Sequence, residues 1–394
     1  MLTRKILFGL FLLSSSVYGQ VHQNQNSNQQ EPSVQKDTIV VLDELEIKSE
    51  KAGRKKMKAA SYERTAAPSK EVSVAKDMEV QSASAGFVQS KNMAANQRVQ
   101  RSPTTMQQQA MDDAVSSLEK TAPNSFEYHY YKYVAGNYDV SLIDHLDKAE
   151  SIRPNNTDVH VQKAAYYHIT KNDTKAKEYL SKLVAAKRLD GDLKYYAEDL
   201  LLSVPKNGTL LTHGFDDTYS ALYTQLNFNV RSDVRVVSLD MLQSDEYRSK
   251  LKSEGYKLPN RKTVDISFFR EFVAQNESKS IAVSLTTPKE YFKPIQGNLY
   301  LTGLVFEYHS SAYDNLHRNE KLWDKKLKKY PVNNSTNDKM KNLSSNYLPM
   351  LLVLYKHYKE NGEQAKLESV EEAMTKVSVQ CGKYETVKRL KDSY

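Results

Sequence analysis

Phe126, Tyr130, Tyr133 and Val134 fall at i, i+4, i+7 and i+8, the spacing that lays apolar side chains along one face of a helix. A turn at 136–139 comes next, and Leu142, Leu146 and Ala149 mark a second helix closed by Pro154, Asn155 and Asn156. The cycle then repeats. Val161, Ala164, Ala165 and His168 share one face, Lys171, Asn172 and Asp173 make a polar turn, and Ala176, Leu180, Leu183 and Val184 share the next. Leu193, Tyr196, Ala197, Leu200 and Leu201 predict one more amphipathic helix, read as a cap that shields this stack from the next domain.

After Pro205 the period shortens. Strands are predicted near 210–213, 234–239, 280–285 and 300–308, with helices near 218–226, 244–253 and 266–275 between them. Strands alternating with helices predict a small parallel, Rossmann-like sheet and an α/β fold class. Beyond Tyr313 the chain reads as helical and basic through 323–329, then as a loop at 333–337. Leu348, Leu351, Leu352 and Tyr355, a break at Asn361 and Gly362, and Leu367, Val370, Met374 and Val377 predict a C-terminal helical hairpin.

The N-terminal part has no such period. Residues 1–19 read as a secretory signal, with Arg4 and Lys5 before the apolar run 6–13 and small residues at 14–19. That run is too short to span a bilayer, so the reading is an exported mature chain starting at Gln20 without a transmembrane segment. Residues 20–122 are rich in Gln, Asn, Ser, Ala and Lys and are read as a disordered tail. The domain plan is then signal 1–19, tail 20–122, helical repeats 123–204, α/β module 205–312 and C-terminal helices 313–394.

Charge and cysteine count narrow the function. The formal net charge is +8, and part of the excess sits at Lys51, Arg54, Lys55, Lys56 and Lys58. These residues offer attraction to an anionic envelope polymer. Export and the lack of a recognition motif argue against nucleic acid. Cys381 is the only cysteine, which excludes an internal disulfide and a multi-cysteine metal site. It is read as a small apolar residue on a C-terminal helix. No histidine pair has the spacing of a metalloprotease helix, so neither a metal nor a cofactor is predicted.

The stretch Gly136-Asn137-Tyr138, through Lys148-Ala149-Glu150 to Pro154-Asn155-Asn156, resembles the glycine, small-residue and terminal-proline positions of tetratricopeptide repeats. It lacks that family's early Trp and Leu-Gly pair. The resemblance implies stacked α-hairpins that hold a protein or peptide partner. Two short likenesses lie in the tail. The run 37–47 resembles the β-segments near the start of TonB-dependent outer-membrane receptors, which implies docking on a partner's sheet edge. Asp37-Thr38-Ile39 resembles the Asp-Ser/Thr-aliphatic sites of Bacteroidota O-glycosylation.

Candidate chemistry gathers at 208–240, where His213 and Gly214 end the first predicted strand and Asp216, Asp217 and Thr218 open the next helix. Open α/β sheets bind ligands at such strand ends. His213, Asp216, Asp217, Thr218, Tyr223 and Arg231 are the candidate ligand-binding residues. The competing reading is structural: Asp217 caps the helix, Thr218 opens it, and Arg231 or Arg235 pairs with Asp233. No catalytic residue is assigned. A haloacid-dehalogenase-like phosphatase would need its nucleophilic Asp where Gly214 stands. A P-loop, a Rossmann glycine turn and a nucleophile elbow are all missing.

The same stretch, Thr212-His-Gly-Phe-Asp-Asp-Thr218 with Arg231-Ser-Asp-Val-Arg235, resembles the soluble C-terminal region of a Bacteroidota membrane family whose N-terminal part is protein-O-mannosyltransferase-like. The family pattern there is Thr-Asn-Gly-Asp-Asn-Asp-Thr, then Arg-Pro-Asp-Val-Arg. This chain keeps Thr212, Gly214, Asp217, Thr218, Arg231, Asp233, Val234 and Arg235, and departs at His213, Phe215, Asp216 and Ser232. The likeness runs over about 205–308. The membrane-embedded catalytic part has no counterpart here, so glycosyl transfer is not implied. The expectation is an exported, non-catalytic scaffold of the bacterial envelope, periplasmic or associated with the outer membrane. A carbohydrate- or peptide-acting enzyme centred on Asp216 and Asp217 is its alternative, and a polymer binder using the basic tail is a third reading.

Overall fold

The computed structural model describes residues 70–335 and 337–393. The signal 1–19, the β-prone run 37–47 and the basic segment 51–58 lie outside these residues.

Helices α1 (Lys70–Ala95) and α2 (Thr105–Thr121) occupy much of the stretch read as a disordered tail, which corrects that expectation from residue 70 on. The local cause is legible at α2. The Thr104 hydroxyl accepts from the Gln107 N–H while the Gln107 side chain reaches back to the Thr104 N–H, a capping box. Met111, Ala114, Val115 and Leu118 then bury one face. On α1 a single large residue anchors the contact: Phe87, 1% exposed, stacks on Tyr131 with ring centroids 4.2 Å apart. Aromatics are few before residue 123, and the ring that Phe87 meets comes from the helix after α2, Phe126–Ala135.

The helical series continues with α3 (Phe126–Ala135), α4 (Ile143–Ile152), α5 (Thr157–Ile169), α6 (Asp173–Ala185) and α7 (Leu193–Ser203). Ser125, Asn156 and Asn172 cap α3, α5 and α6 through their side chains. The faces expected from periodicity are buried, among them Tyr133, Leu146, Ala149, Ala165, Ala176, Leu180 and Leu183. Consecutive helices pack as pairs, α3 on α4 and α5 on α6, and α6 and α7 both lean on the first helix of the sheet layer.

That layer holds β1 (Thr209–Thr212), α8 (Phe215–Phe228), β2 (Arg235–Ser238), α9 (Asp245–Ser253), α10 (Ile266–Gln275), β3 (Ile281–Ser284), the one-turn α11 (Lys289–Phe292), β4 (Leu299–Thr302) and β5 (Val305–Tyr308). The sheet order is β2-β1-β3-β5-β4. β1 pairs parallel with both β2 and β3, in register Leu211↔Val237 and Leu211↔Val283. β5 runs antiparallel to β3 and to β4. The fold is α/β, as expected, but the sheet is mixed and not wholly parallel. The difference arises at 300–308, read as one strand and observed as a hairpin. Gly303, at φ +59°, turns the chain where a Cβ would run into Ser203.

Beyond the sheet come α12 (Leu316–Lys321), a π-helical turn at Leu322–Lys326, α13 (Tyr330–Asn333), α14 (Asp338–Ser344), α15 (Leu348–Asn361), α16 (Gln364–Gln380) and α17 (Tyr384–Asp392). α15 and α16 are the predicted C-terminal hairpin. Gly362, at φ +68°, ends α15, and α15 packs on β4 and α12. Cys381 follows α16 as its C-cap, half-buried, and burial raises its thiol pKa.

One apolar core runs from Ala164 through the sheet to Val387, so α5 to α7 and the C-terminal helices share it with the strands. A smaller cluster from Phe87 to Val159 joins α1 and α2 to α3 and α4. Asp199 on α7 ties the sheet's flank to the C-terminal layer. Its buried carboxylate accepts from the N–H groups of Lys328 and Lys329 at 2.6 and 2.8 Å and from the Tyr347 hydroxyl at 2.7 Å.

Candidate functional site

β1 ends at Thr212, and Gly214, at φ +78°, turns the chain into α8 in a conformation suited to glycine. β1 is flanked by β2 and β3, so the ends of β1 and β3 border the crevice where such sheets place ligands. Three of the six candidate residues meet here. The buried Asp217 carboxylate accepts the His213 N–H at 3.3 Å through Oδ2 and the Ser284 hydroxyl at 3.0 Å through Oδ1. Thr218 Oγ1 bonds Thr212 Oγ1 at 2.9 Å and Ser238 Oγ at 3.4 Å, closing the gap between β1 and β2.

The other three lie elsewhere. Asp216, on the outer side of the same turn, pairs with Lys339 at 3.0 Å. Tyr223 packs edge-on to Phe228 at the far end of α8. Arg231 holds Asp233 at 2.7 Å and donates to the carbonyls of Leu201, Val204 and Pro205 at 2.9 to 3.0 Å. It is a clamp on the α7–β1 connection; of the two partners the structural reading offered for Asp233, Arg231 is the one that pairs with it. Arg235 instead pairs with Glu254.

Residues outside the predicted set complete the corner. Asp240, just past β2, accepts the Gly214 N–H at 2.8 Å and pairs with Arg101 at 2.7 Å, with side chains 14% and 7% exposed. Arg101 also donates to the carbonyls of Ala95 and Gln97, and its own N–H donates to Val264 O at 2.7 Å. The 96–102 connection is thereby laid along the start of α10, where Gln100 bridges Asp265. No local pattern marks Arg101, since its partners are contributed by the sheet layer.

Burial dominates the electrostatics. It raises Asp217 to about 7 against the hydrogen bonds from the His213 N–H, Ser284 and Thr286. It lowers His213 to about 3, with the Arg101 charge adding to the effect. Burial also pushes Asp240 up, but Arg101, His213 and the Gly214 N–H outweigh it and hold that carboxylate below its usual range. Half-buried Lys91 is lowered to about 8 by desolvation, opposed by Asp240. Asp217, raised to about 7, is able to take up or release a proton near neutral pH. The Asp217 carboxylate is nevertheless bound on both oxygens by the protein itself.

Four buried polar atoms at this corner have no hydrogen-bond partner among the described residues: both His213 ring nitrogens, Tyr291 Oη and Thr287 Oγ1. The His213 and Tyr291 rings stand 6.2 Å apart, edge to face. At the opposite end of β2 a separate open cavity of about 260 Å³ is lined by His168, Lys171, Asp173, Arg235 and Glu254. Three of its charges are paired with one another, Glu254 holding Lys171 at 2.7 Å and Arg235 at 2.9 Å.

No helix among the described residues is long and apolar enough to cross a membrane. No curated protein and no solved structure matches the chain. Residues 193–381, from the start of α7 through the sheet to the end of the C-terminal hairpin, match the family model described as TMEM260-associated domain 2.

Proposed function

We propose that this chain is an exported, non-catalytic accessory scaffold of the bacterial cell envelope that holds a protein or peptide partner on tetratricopeptide-like hairpins. The α3–α6 pairs provide the holding surface. The α7-to-α16 unit, read as a relative of the soluble C-terminal region of Bacteroidota protein-O-mannosyltransferase-like membrane proteins, fixes that surface against the sheet. The observation that carries the reading is the division of labour between the two aspartates an enzyme would need. Asp217 is engaged by His213 and Ser284, while Asp216 faces outward to Lys339. Cross-linking in intact cells followed by mass spectrometry tests it. Wild type and Asp217→Asn should capture the same protein neighbours. Loss of a small-molecule turnover in the variant, with no protein neighbour in either, overturns the scaffold.

A second reading, a small polar ligand in the crevice, is favoured by the four unpartnered atoms of His213, Tyr291 and Thr287. Each such group left unsatisfied costs on the order of 1–3 kcal/mol. Native mass spectrometry of protein taken directly from cells decides it. A bound mass that disappears in Tyr291→Phe supports a ligand, and protein of bare mass removes this reading.

A further inference from the structure

Glu320 in α12, His357 in the last turn of α15 and Glu363 just past its Gly362 cap bring their ligating atoms within 4.8 Å of one another. His357 Nε2 lies 3.7 Å from Glu363 Oε1. Its Nδ1 is 2.9 Å from the side-chain amide of Asn361, which fixes the ring. His317, one turn before Glu320 on α12, has Nδ1 3.9 Å from the other Glu320 oxygen, and its side chain is 83% exposed. Lys366 Nζ sits 2.7 Å from Glu363 and 3.5 Å from Glu320, so the two carboxylates already surround one positive charge. The carbonyl end of the α15 dipole favours a cation at the same place.

A lysine held by two glutamates has no need of two imidazoles beside it. Two imidazoles and two carboxylates are the mixed nitrogen and oxygen donor set, four in number, that suits tetrahedral zinc. We propose that Glu320, His357 and Glu363, joined by His317, form a zinc-binding site that fastens the C-terminal hairpin to α12. The ion takes the place of the Lys366 ammonium, whose side chain is 48% exposed and swings into water. With zinc on Nε2 of His357, Nδ1 carries the proton and donates to the Asn361 amide oxygen after a half-turn of that amide, which gives up its present 2.9 Å bond to the His357 carbonyl. The link matters mechanically because α12 is tied to the sheet. Asn319 accepts the Gly303 N–H and donates to the Leu301 carbonyl, both at 2.8 Å. Zinc therefore couples the edge hairpin of the sheet to the α15–α16 pair, a role separate from partner capture.

The full chain, stripped with chelator and titrated with zinc chloride by calorimetry, tests the site alongside thermal unfolding. One equivalent should bind saturably and raise Tm. His357→Gln and Glu363→Gln should each weaken binding by roughly tenfold or more. Lys366→Met should tighten it, because the competing ammonium is gone. A purely structural ion-pair cluster predicts instead that Lys366→Met lowers Tm and leaves zinc affinity unchanged. Absence of saturable binding, binding undiminished in His357→Gln, or no gain in Lys366→Met overturns the proposal. The last arm, at an exposed position, decides the matter even where a histidine variant fails to fold.

Discussion

Arg101 and Asp240, 139 positions apart in sequence, form a 2.7 Å ion pair that seals the strand-end corner. Asp240 in turn receives the Gly214 N–H, so the turn from β1 into α8 is steadied through Asp240 by Arg101, a residue that composition alone assigns to a tail. The N-terminal helices are thereby part of the sheet's architecture. The chain segment between α1 and α2 lies against α10 and ends its polar contacts at the candidate site.

Removing one partner of this pair leaves a buried charge alone. Arg101→Ala should cost about 3–5 kcal/mol in a denaturant titration, the range for breaking a buried pair from one side. Arg101→Ala combined with Asp240→Asn should recover part of that loss. A single-variant cost below about 1 kcal/mol, typical of exposed pairs, would show that Arg101 is solvated and the corner open.

The docking of α1 rests on Phe87, stacked on Tyr131 and 1% exposed. Phe87→Ala should destabilise by about 3–5 kcal/mol, the loss for a large aromatic truncated in a core. The loss should be local, with amide exchange accelerating over 70–121 before the sheet strands respond. Uniform acceleration would mean that the two apolar clusters unfold as one unit.

How much of the fold is readable from sequence depends on the range of the contact. Periodicity places α10 residue for residue at 266–275, because Phe268, Phe269, Phe272 and Val273 bury one helical face and Asp265 supplies the cap. The strands β1 to β3 fall within two residues of their expected ends, since short runs buried over all or nearly all their length stand out between polar turns. The hairpin at Gly303 escapes the pattern, because a single glycine among β-forming residues does not distinguish a long strand from two short ones. The signal for α2 is present in the Thr104–Gln107 box and the Met111–Leu118 spacing, but composition masks it. At the site, Asp217 and Thr218 are legible because their contacts include neighbours within six residues. Arg101, Tyr291 and the Glu320–His357–Glu363 cluster require the tertiary fold.

His213 and Asp217 make opposite contributions to stability against pH. His213 is held near 3 in the fold against 6.5 unfolded, so the unfolded chain takes up the proton first and stability falls as pH drops from 6.5 toward 3. Asp217 is held near 7 against 3.8, so the folded chain retains the proton longer and stability falls as pH rises from about 4 to 7. Compared with His213→Gln, wild type should lose about 1.4 kcal/mol per pH unit on the acid side of 6.5. Compared with Asp217→Asn it should lose a similar amount per unit on rising from 4 to 7. Denaturant midpoints collected across pH 4 to 8 check both slopes, and parallel curves for wild type and Asp217→Asn would mean that Asp217 is hydrated.

Arg231 is a ligand-binding candidate by sequence, and the structure gives it a different duty. Its guanidinium spans Asp233 and three carbonyls at the α7–β1 connection, a fork of donors that a lysine does not possess. Arg231→Lys should therefore lower stability by about 1.5–3 kcal/mol, the scale of hydrogen bonds to a charged group, while partner capture in cells stays intact. The chain is at φ +49° at this position, so the substitution keeps the backbone cost constant and isolates the side chain. A variant of unchanged stability with reduced capture would return Arg231 to a binding surface and move the partner's contact from the helical pairs to the α7–β1 junction.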